Sequence, residues 1–206
     1  MNKVAKYPPP EVRRLVTEAL PDLPHNALWP SHEDITIKNR KLGRELVKLA
    51  AGQPLKDIYP ILGVASRGGL DMANYIGRVF DYGNPDIRFI GVSSYGESGT
   101  EQTEEFIRGQ IPDIGDIEGR SILLFDEVCD TGNTLVENVR IMNDELHAAQ
   151  VLTAVLDYKP ALSKTKFVPD VYVDITDKWI VYPWEVYEIL KEKALDENIW
   201  LPPSIS

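Results

Sequence analysis

The chain has 206 residues and a formal charge of −10, long enough for one substantial core with a small appendage and of the wrong sign for non-specific nucleic-acid binding as a main task. Its one cysteine excludes an intramolecular disulfide and a cysteine-based metal cluster. No apolar run reaches membrane-spanning length and no signal peptide is visible, so a soluble cytoplasmic protein is expected.

Residues 1–30 read as a proline-rich arm: YPPP, an amphipathic segment Glu11–Leu20 with Leu15, Val16, Ala19 and Leu20 on its apolar side, then PDLPHNALWP. Trp29 is expected to anchor this arm on the main body, and residues 31–206 to form the main domain. Ser31 or Asp34 caps a predicted helix running to about Ala51, with Ile35, Leu42, Leu46 and Leu49 on one face and Gly52 at its end. A strand is predicted over Ile58–Ala65, closing on Ser66-Arg67-Gly68-Gly69, followed by a helix over Leu70–Phe80 and a strand over Phe89–Ser94. Residues 96–119 break the rhythm, rich in Glu, Thr and Gly, and read as an irregular functional loop. Then come a buried strand Ser121–Phe125, a helix Thr134–Leu146, a strand Val151–Tyr158, a short strand Val171–Ile175 and a helix Glu185–Leu195. Alternation of this kind indicates an α/β fold, a mostly parallel twisted sheet flanked by helices. The C-terminal piece, with its short strand and two Trp, reads as a small subdomain over the strand ends.

The most informative stretch is SILLFDEVCDTGNTL, Ser121–Leu135. An apolar strand delivers Asp126 and Glu127 to the carboxyl end of the sheet, where ligands of open α/β sheets bind. Asp130-Thr131-Gly132-Asn133-Thr134 then turns into a helix, aiming amide groups and two hydroxyls at one point, which suits a phosphate. Cys129 reads as a small buried side chain.

This stretch resembles the signature of the type I phosphoribosyltransferases, and the likeness extends over about Asp34–Glu185. It implies their fold, with a small C-terminal hood or base-binding subdomain, and binding of 5-phosphoribosyl 1-pyrophosphate (PRPP). Asp126 and Glu127 would then take the ribose hydroxyls, and Asp130, Thr131, Gly132, Asn133 and Thr134 the 5′-phosphate side. Ser66, Arg67, Gly68 and Gly69 resemble the family's pyrophosphate loop, which often carries a non-proline cis peptide, here Ser66–Arg67. A loop at about 96–119 would close over the reaction centre.

Tyr158-Lys159-Pro160 and Asp177-Lys178-Trp179-Ile180-Val181-Tyr182-Pro183-Trp184-Glu185 resemble the 6-oxopurine members. The likeness makes about 158–185 the base pocket: Lys159 donating to the 6-oxo group, Trp179 stacking, the Ile180 backbone at the pyrimidine edge and Glu185 near the 2-position. Asp130 faces N7 as general acid/base in such enzymes. The same likeness implies Mg²⁺ brought with PRPP, with Glu127 and then Asp126 as protein candidates to approach it, and a homodimer or higher homo-oligomer. The expected reaction is purine salvage: hypoxanthine, guanine or xanthine plus PRPP giving the nucleoside 5′-monophosphate plus pyrophosphate. Two alternatives stand beside it, a pyrimidine-specific phosphoribosyltransferase and a non-enzymatic PRPP- or nucleotide-binding regulator. No nucleic acid or membrane partner is expected.

Overall fold

A computed structural model of the chain describes residues 7–90, 93–95, 102–107 and 115–196. In chain order the elements are α1 (Pro10–Ala19), α2 (His32–Leu49), a one-turn α3 (Leu55–Ile58), β1 (Ile61–Val64), α4 (Gly69–Val79), β2 (Asp86–Phe89), β3 (Ser93–Tyr95), β4 (Gln102–Ile107), β5 (Ser121–Cys129), α5 (Asn133–Arg140), β6 (Gln150–Tyr158), β7 (Val171–Ile175) and α6 (Pro183–Asp196). The residues group into two units, 37–177 and a smaller one formed by 1–36 with 178–206.

The larger unit is built on a five-stranded sheet in the order β2-β1-β5-β6-β7, parallel throughout. β5 is central because it can be: Ile122, Leu123, Leu124 and Phe125 are all fully buried. Each such side chain stabilises by about 1.5–3 kcal/mol relative to exposure. Ile61, Ile90, Leu135, Met142 and Val155 join Ile122 and Leu124 in one cluster. From β1 the chain steps outward to β2, and from β5 it steps the other way to β6 and β7. Strand order therefore reverses at the β1/β5 pair, and the crevice beyond the carboxyl ends of those two strands is where such sheets take ligands.

Several boundaries differ from the sequence reading, each for a local reason. β2 occupies 86–89 rather than 89–94, and as an edge strand it carries Asp86 and Arg88, paired at 2.7 Å, instead of a continuous apolar run. β1 is shorter than expected because α3 takes residues up to Ile58. β5 continues to Cys129, so Asp126 and Glu127 lie within the strand. The helix after it ends in a π-helical turn at Ile141–Glu145. Of the expected irregular loop, 102–107 is a strand antiparallel to β3, while 96–101 and 108–114 lie outside the described residues. β7 belongs to the main sheet rather than to a C-terminal subdomain. The Ser66–Arg67 peptide is trans; among the described residues the cis bond is Tyr7–Pro8.

Asp157 on β6 and Asp174 on β7 are register partners, so two carboxylates stand side by side. Lys38 of α2 resolves the repulsion: its Nζ donates to both Asp157 oxygens at 2.5 and 2.7 Å and lies 3.2 Å from Asp174. Asp157 is 1% exposed, and breaking a buried pair from one side typically costs about 3–5 kcal/mol. Lys38→Met should therefore lower stability by about that amount in urea titrations. Lys41→Met, which removes an ammonium 54% exposed and 3.9 Å from Asp174, should stay within about 1 kcal/mol of the parent. Equal losses in the two variants would refute the assignment.

The smaller unit joins the two ends of the described chain. Val16 and Leu23 pack with Val181, Val186 and Leu190, and Trp29 lies against the same cluster with the Arg13 guanidinium 5.0 Å from its ring centre. Trp29 packs in this small core beside Val181, Val186 and Leu190, and residues 1–36 share a unit with 178–206. The chain enters α2 through a reciprocal cap, in which Ser31 N and Oγ donate to Asp34 at 2.8 and 2.7 Å and Asp34 N donates to Ser31 Oγ at 3.1 Å.

Candidate functional site

The reversal point of the sheet brings Ser66–Gly69 against Asp126 and Glu127. Ser66 Oγ lies 2.6 Å from Asp126 Oδ1 and also meets Glu127 Oε2, while Gly69 N donates to Ser66 Oγ at 3.3 Å. One hydroxyl proton is thus divided between two adjacent carboxylates, and Asp126 is the more buried of the two. Burial above all, and then the neighbouring Glu127 charge and side-chain contact, raise its carboxyl well above the ordinary range, against the pull of Ser66 and the Glu127 amide.

Both loop glycines are there for space. A Cβ on Gly68 would overlap the Glu127 carboxylate, and one on Gly69 would overlap the Phe125 carbonyl oxygen. The backbone of the loop is therefore pressed onto β5, and α4 starts from that contact. Arg67 is exposed at the tip.

Asp126 also makes a prediction about pH. A carboxyl that is neutral when folded and ionised when unfolded binds more protons in the folded state at the pH values between its two pKa values. Its stabilising contribution is full below the ordinary Asp range and is lost as pH rises through the raised folded value. In metal-free buffer, Asp126→Asn should remove this slope and raise the urea midpoint at neutral pH relative to the parent. An unchanged slope would count against a buried neutral Asp126.

At the end of β5 the chain enters the turn 130–134. Gly132 has φ +83°, and a Cβ there would overlap Thr165 Oγ1, so both conformation and space require glycine. Thr131 O accepts from Lys164 N at 3.0 Å and Thr165 Oγ1 at 3.4 Å, and Thr131 Oγ1 accepts from Asn133 N at 3.4 Å. The N-cap Gly132 has no side chain to offer α5, and the first amide of the helix, Asn133 N, is met by Thr131 Oγ1 instead. Cys129 is 1% exposed, and burial, then Asp126 and Asp130, push its thiol up to about 12, which leaves it a packing residue at neutral pH.

Lys159 follows β6 and is 6% exposed. Its amide donates to Cys129 O at 2.9 Å, and its Nζ lies 3.2 Å from Asp130 Oδ2. The two strands thus bring together a buried cation and a carboxylate assigned to one ligand by sequence. Asp157 and its partner Lys38 support this strand end, a pair outside the motifs singled out in the sequence. The signal was present, since an acid inside the apolar run VLTAVLDY demands a partner.

In the smaller unit, Trp179 is 51% exposed and Ile180 6% exposed. Leu28 N donates to Trp179 O at 2.8 Å and Val181 N donates to Leu28 O at 2.9 Å. Trp184 stacks on Tyr182 with centroids 5.0 Å apart and planes 4° from parallel. Glu185 Oε2 accepts from Tyr182 N at 2.8 Å, so this carboxylate already caps α6.

At the reversal point of the sheet, then, a loop is pressed onto a pair of carboxylates, and the turn 130–134 follows at the end of the same strand. The chain belongs to the phosphoribosyl transferase domain family, whose model matches residues 32–188. It is 34% identical over 130 residues to the hypoxanthine-guanine phosphoribosyltransferase of Streptococcus pneumoniae, covering 63% of this chain and 67% of that protein. With the protein of the same name from Streptococcus thermophilus it shares 31% over 153 residues, 73% of this chain and 79% of that one. The crystal structure of a purine phosphoribosyltransferase from Pyrococcus horikoshii superposes with TM-score 0.54 at 29% identity, over 78% of this chain and 94% of that chain. A Helicobacter pylori xanthine-guanine-hypoxanthine phosphoribosyltransferase, at 20% identity, shares the fold with TM-score 0.62, over 84% of this chain and 99% of that chain.

Proposed function

We propose that the chain is a purine salvage enzyme that transfers the phosphoribosyl group of PRPP to a 6-oxopurine. The observation that carries this reading is the Lys159–Asp130 pair, 3.2 Å apart with the lysine buried. A 6-oxopurine presents a carbonyl acceptor at C6 and, in its N7–H tautomer, a donor beside it, the complement of an ammonium and a carboxylate. Adenine offers an amino donor to a buried ammonium that can only donate, and a site built around a hydrogen bond rejects an analogue that cannot make it by about 10⁴–10⁵.

In the proposed reaction N9 bonds to the ribosyl carbon, the bond from that carbon to the pyrophosphate oxygen breaks, and Asp130 takes the N7 proton. The carbon passes through an oxocarbenium-like state, so positioning and charge stabilisation dominate. Asp126 and Glu127 hold the ribose hydroxyls, the turn 131–134 holds the 5′-phosphate, and Ser66–Gly69 with Arg67 hold pyrophosphate. Trp179 and the Ile180 backbone are assigned to the base by family likeness, while Glu185, engaged as a helix cap, is the weakest of that set. The oxygen donors of Asp126 and Glu127 fit Mg²⁺, which takes few protein ligands and keeps water and phosphate oxygens. Bound there it would neutralise charge on the diphosphate. A cytoplasmic homo-oligomer completes the proposal, and no helix of the described residues is long and apolar enough to cross a membrane.

Pyrophosphate release from PRPP and Mg²⁺ with hypoxanthine, guanine, xanthine, adenine, orotate and uracil tests it. Turnover is expected with one or more 6-oxopurines. Turnover with a pyrimidine alone, or tight PRPP binding with no turnover, would transfer the assignment to one of the alternatives.

A further inference from the structure

The residues before the family match hold the most specific unassigned contact in the molecule. Leu28 lies in the segment between α1 and α2, and it forms a parallel bridge to Ile180. The bridge uses Leu28 N to Trp179 O and Val181 N to Leu28 O. In an extended strand the amide groups of successive residues face opposite sides, so with 179 and 181 bonded toward Leu28 the N–H and C=O of Ile180 face away from it. Neither group has a hydrogen-bond partner among the described residues, although Ile180 is only 6% exposed. That edge of the segment therefore presents one donor and one acceptor side by side.

We propose that the N-terminal segment is a positioning element for the base: Leu28 occupies one edge of 179–181 and so turns the peptide groups of Ile180 outward, where they receive the pyrimidine edge of the purine. The inference rests on the purine reading above. What the arm adds is direction. A strand of three residues has many orientations available, and the two hydrogen bonds to Leu28 select one. The selection is braced at both ends. Val16 and Leu23 pack on Val181, Val186 and Leu190, and the Tyr7 hydroxyl reaches Pro183 O at 3.5 Å. The family match starts at residue 32, so Leu28 is a determinant that the family pattern does not carry.

The test is steady-state kinetics on the full chain, with the 6-oxopurine and PRPP varied separately. Leu28→Pro removes the donor to Trp179 O. It should raise KM for the base about tenfold, since small misplacements of a positioning group are costly, and leave KM for PRPP within about twofold. Hydrogen exchange at the Val181 amide should quicken in the same variant. A protein with an ester in place of the amide at residue 28 deletes only the N–H, and it decides the matter if the proline variant unfolds. Unchanged base KM in the folded ester variant, or equal rises in both KM values, overturns the positioning role while the purine reading stands. A parent protein that releases no pyrophosphate with any base overturns the purine reading, and this inference with it.

Discussion

Gly69→Ala is expected to slow pyrophosphate release by about 10²-fold while leaving a folded protein. The added Cβ would overlap the Phe125 carbonyl oxygen and sit 3.0 Å from its carbonyl carbon, and a central-strand backbone cannot give way. α4 and the loop before it must move instead, carrying Ser66 off Asp126 and Glu127. A displacement of about 1 Å at a reacting centre can cost about 10²-fold in rate, and overpacking costs about 1–3 kcal/mol of stability. Gly83→Ala is the control: it has φ +68° with nothing within 4 Å of its Cβ. It should lose about 1–2 kcal/mol to backbone strain and keep its kcat. If Gly69→Ala retains normal kcat, the loop is not seated on β5 as described.

Asp130→Asn should lower kcat by about 10²–10⁴, the usual worth of a positioned acid or base. The amide oxygen can still accept from Lys159 at the present 3.2 Å separation, so the geometry survives and only the ability to take a proton is lost. KM for PRPP should stay within about twofold, because the carboxylates assigned to ribose, Asp126 and Glu127, are untouched. Normal kcat in this variant would remove Asp130 from the proton path. Loss of PRPP affinity together with kcat would instead make it a binding residue.

The stretch 121–135 was legible because its signals are local. Four fully buried apolar residues, two acids and a Thr-Gly-x-Thr turn follow one another in the order in which β5, the carboxylates and α5 use them. The sheet followed from the same logic. Edge and long-range features were not legible. β2 hides behind Asp86 and Arg88, which a half-exposed edge strand tolerates and a periodicity search does not. Lys38 and Asp157 are 119 positions apart, and nothing near Lys38 marks it as half of a buried pair. Ser66 was read as a pyrophosphate ligand alone, and its tie to two carboxylates appears only when β1 and β5 are neighbours. Glu185 stands three residues after Tyr182, the position of a helix-capping acid, and its bond to the Tyr182 amide is the kind of local contact that spacing makes legible.

The larger unit is one uninterrupted run of sequence, 37–177, whereas the smaller is stitched from residues on both flanks. On the proposed reading, the machinery that handles ribose and phosphate is inherited as a single block, and recognition of the base's far edge is distributed over the flanks. Substitutions near Leu28 or Ile180 could then retune which purine is taken without rewriting the block that transfers the phosphoribosyl group. Lineages descended from a common ancestor would diverge fastest in selectivity at their flanks, and chimeras exchanging only those flanks are the natural way to follow that history.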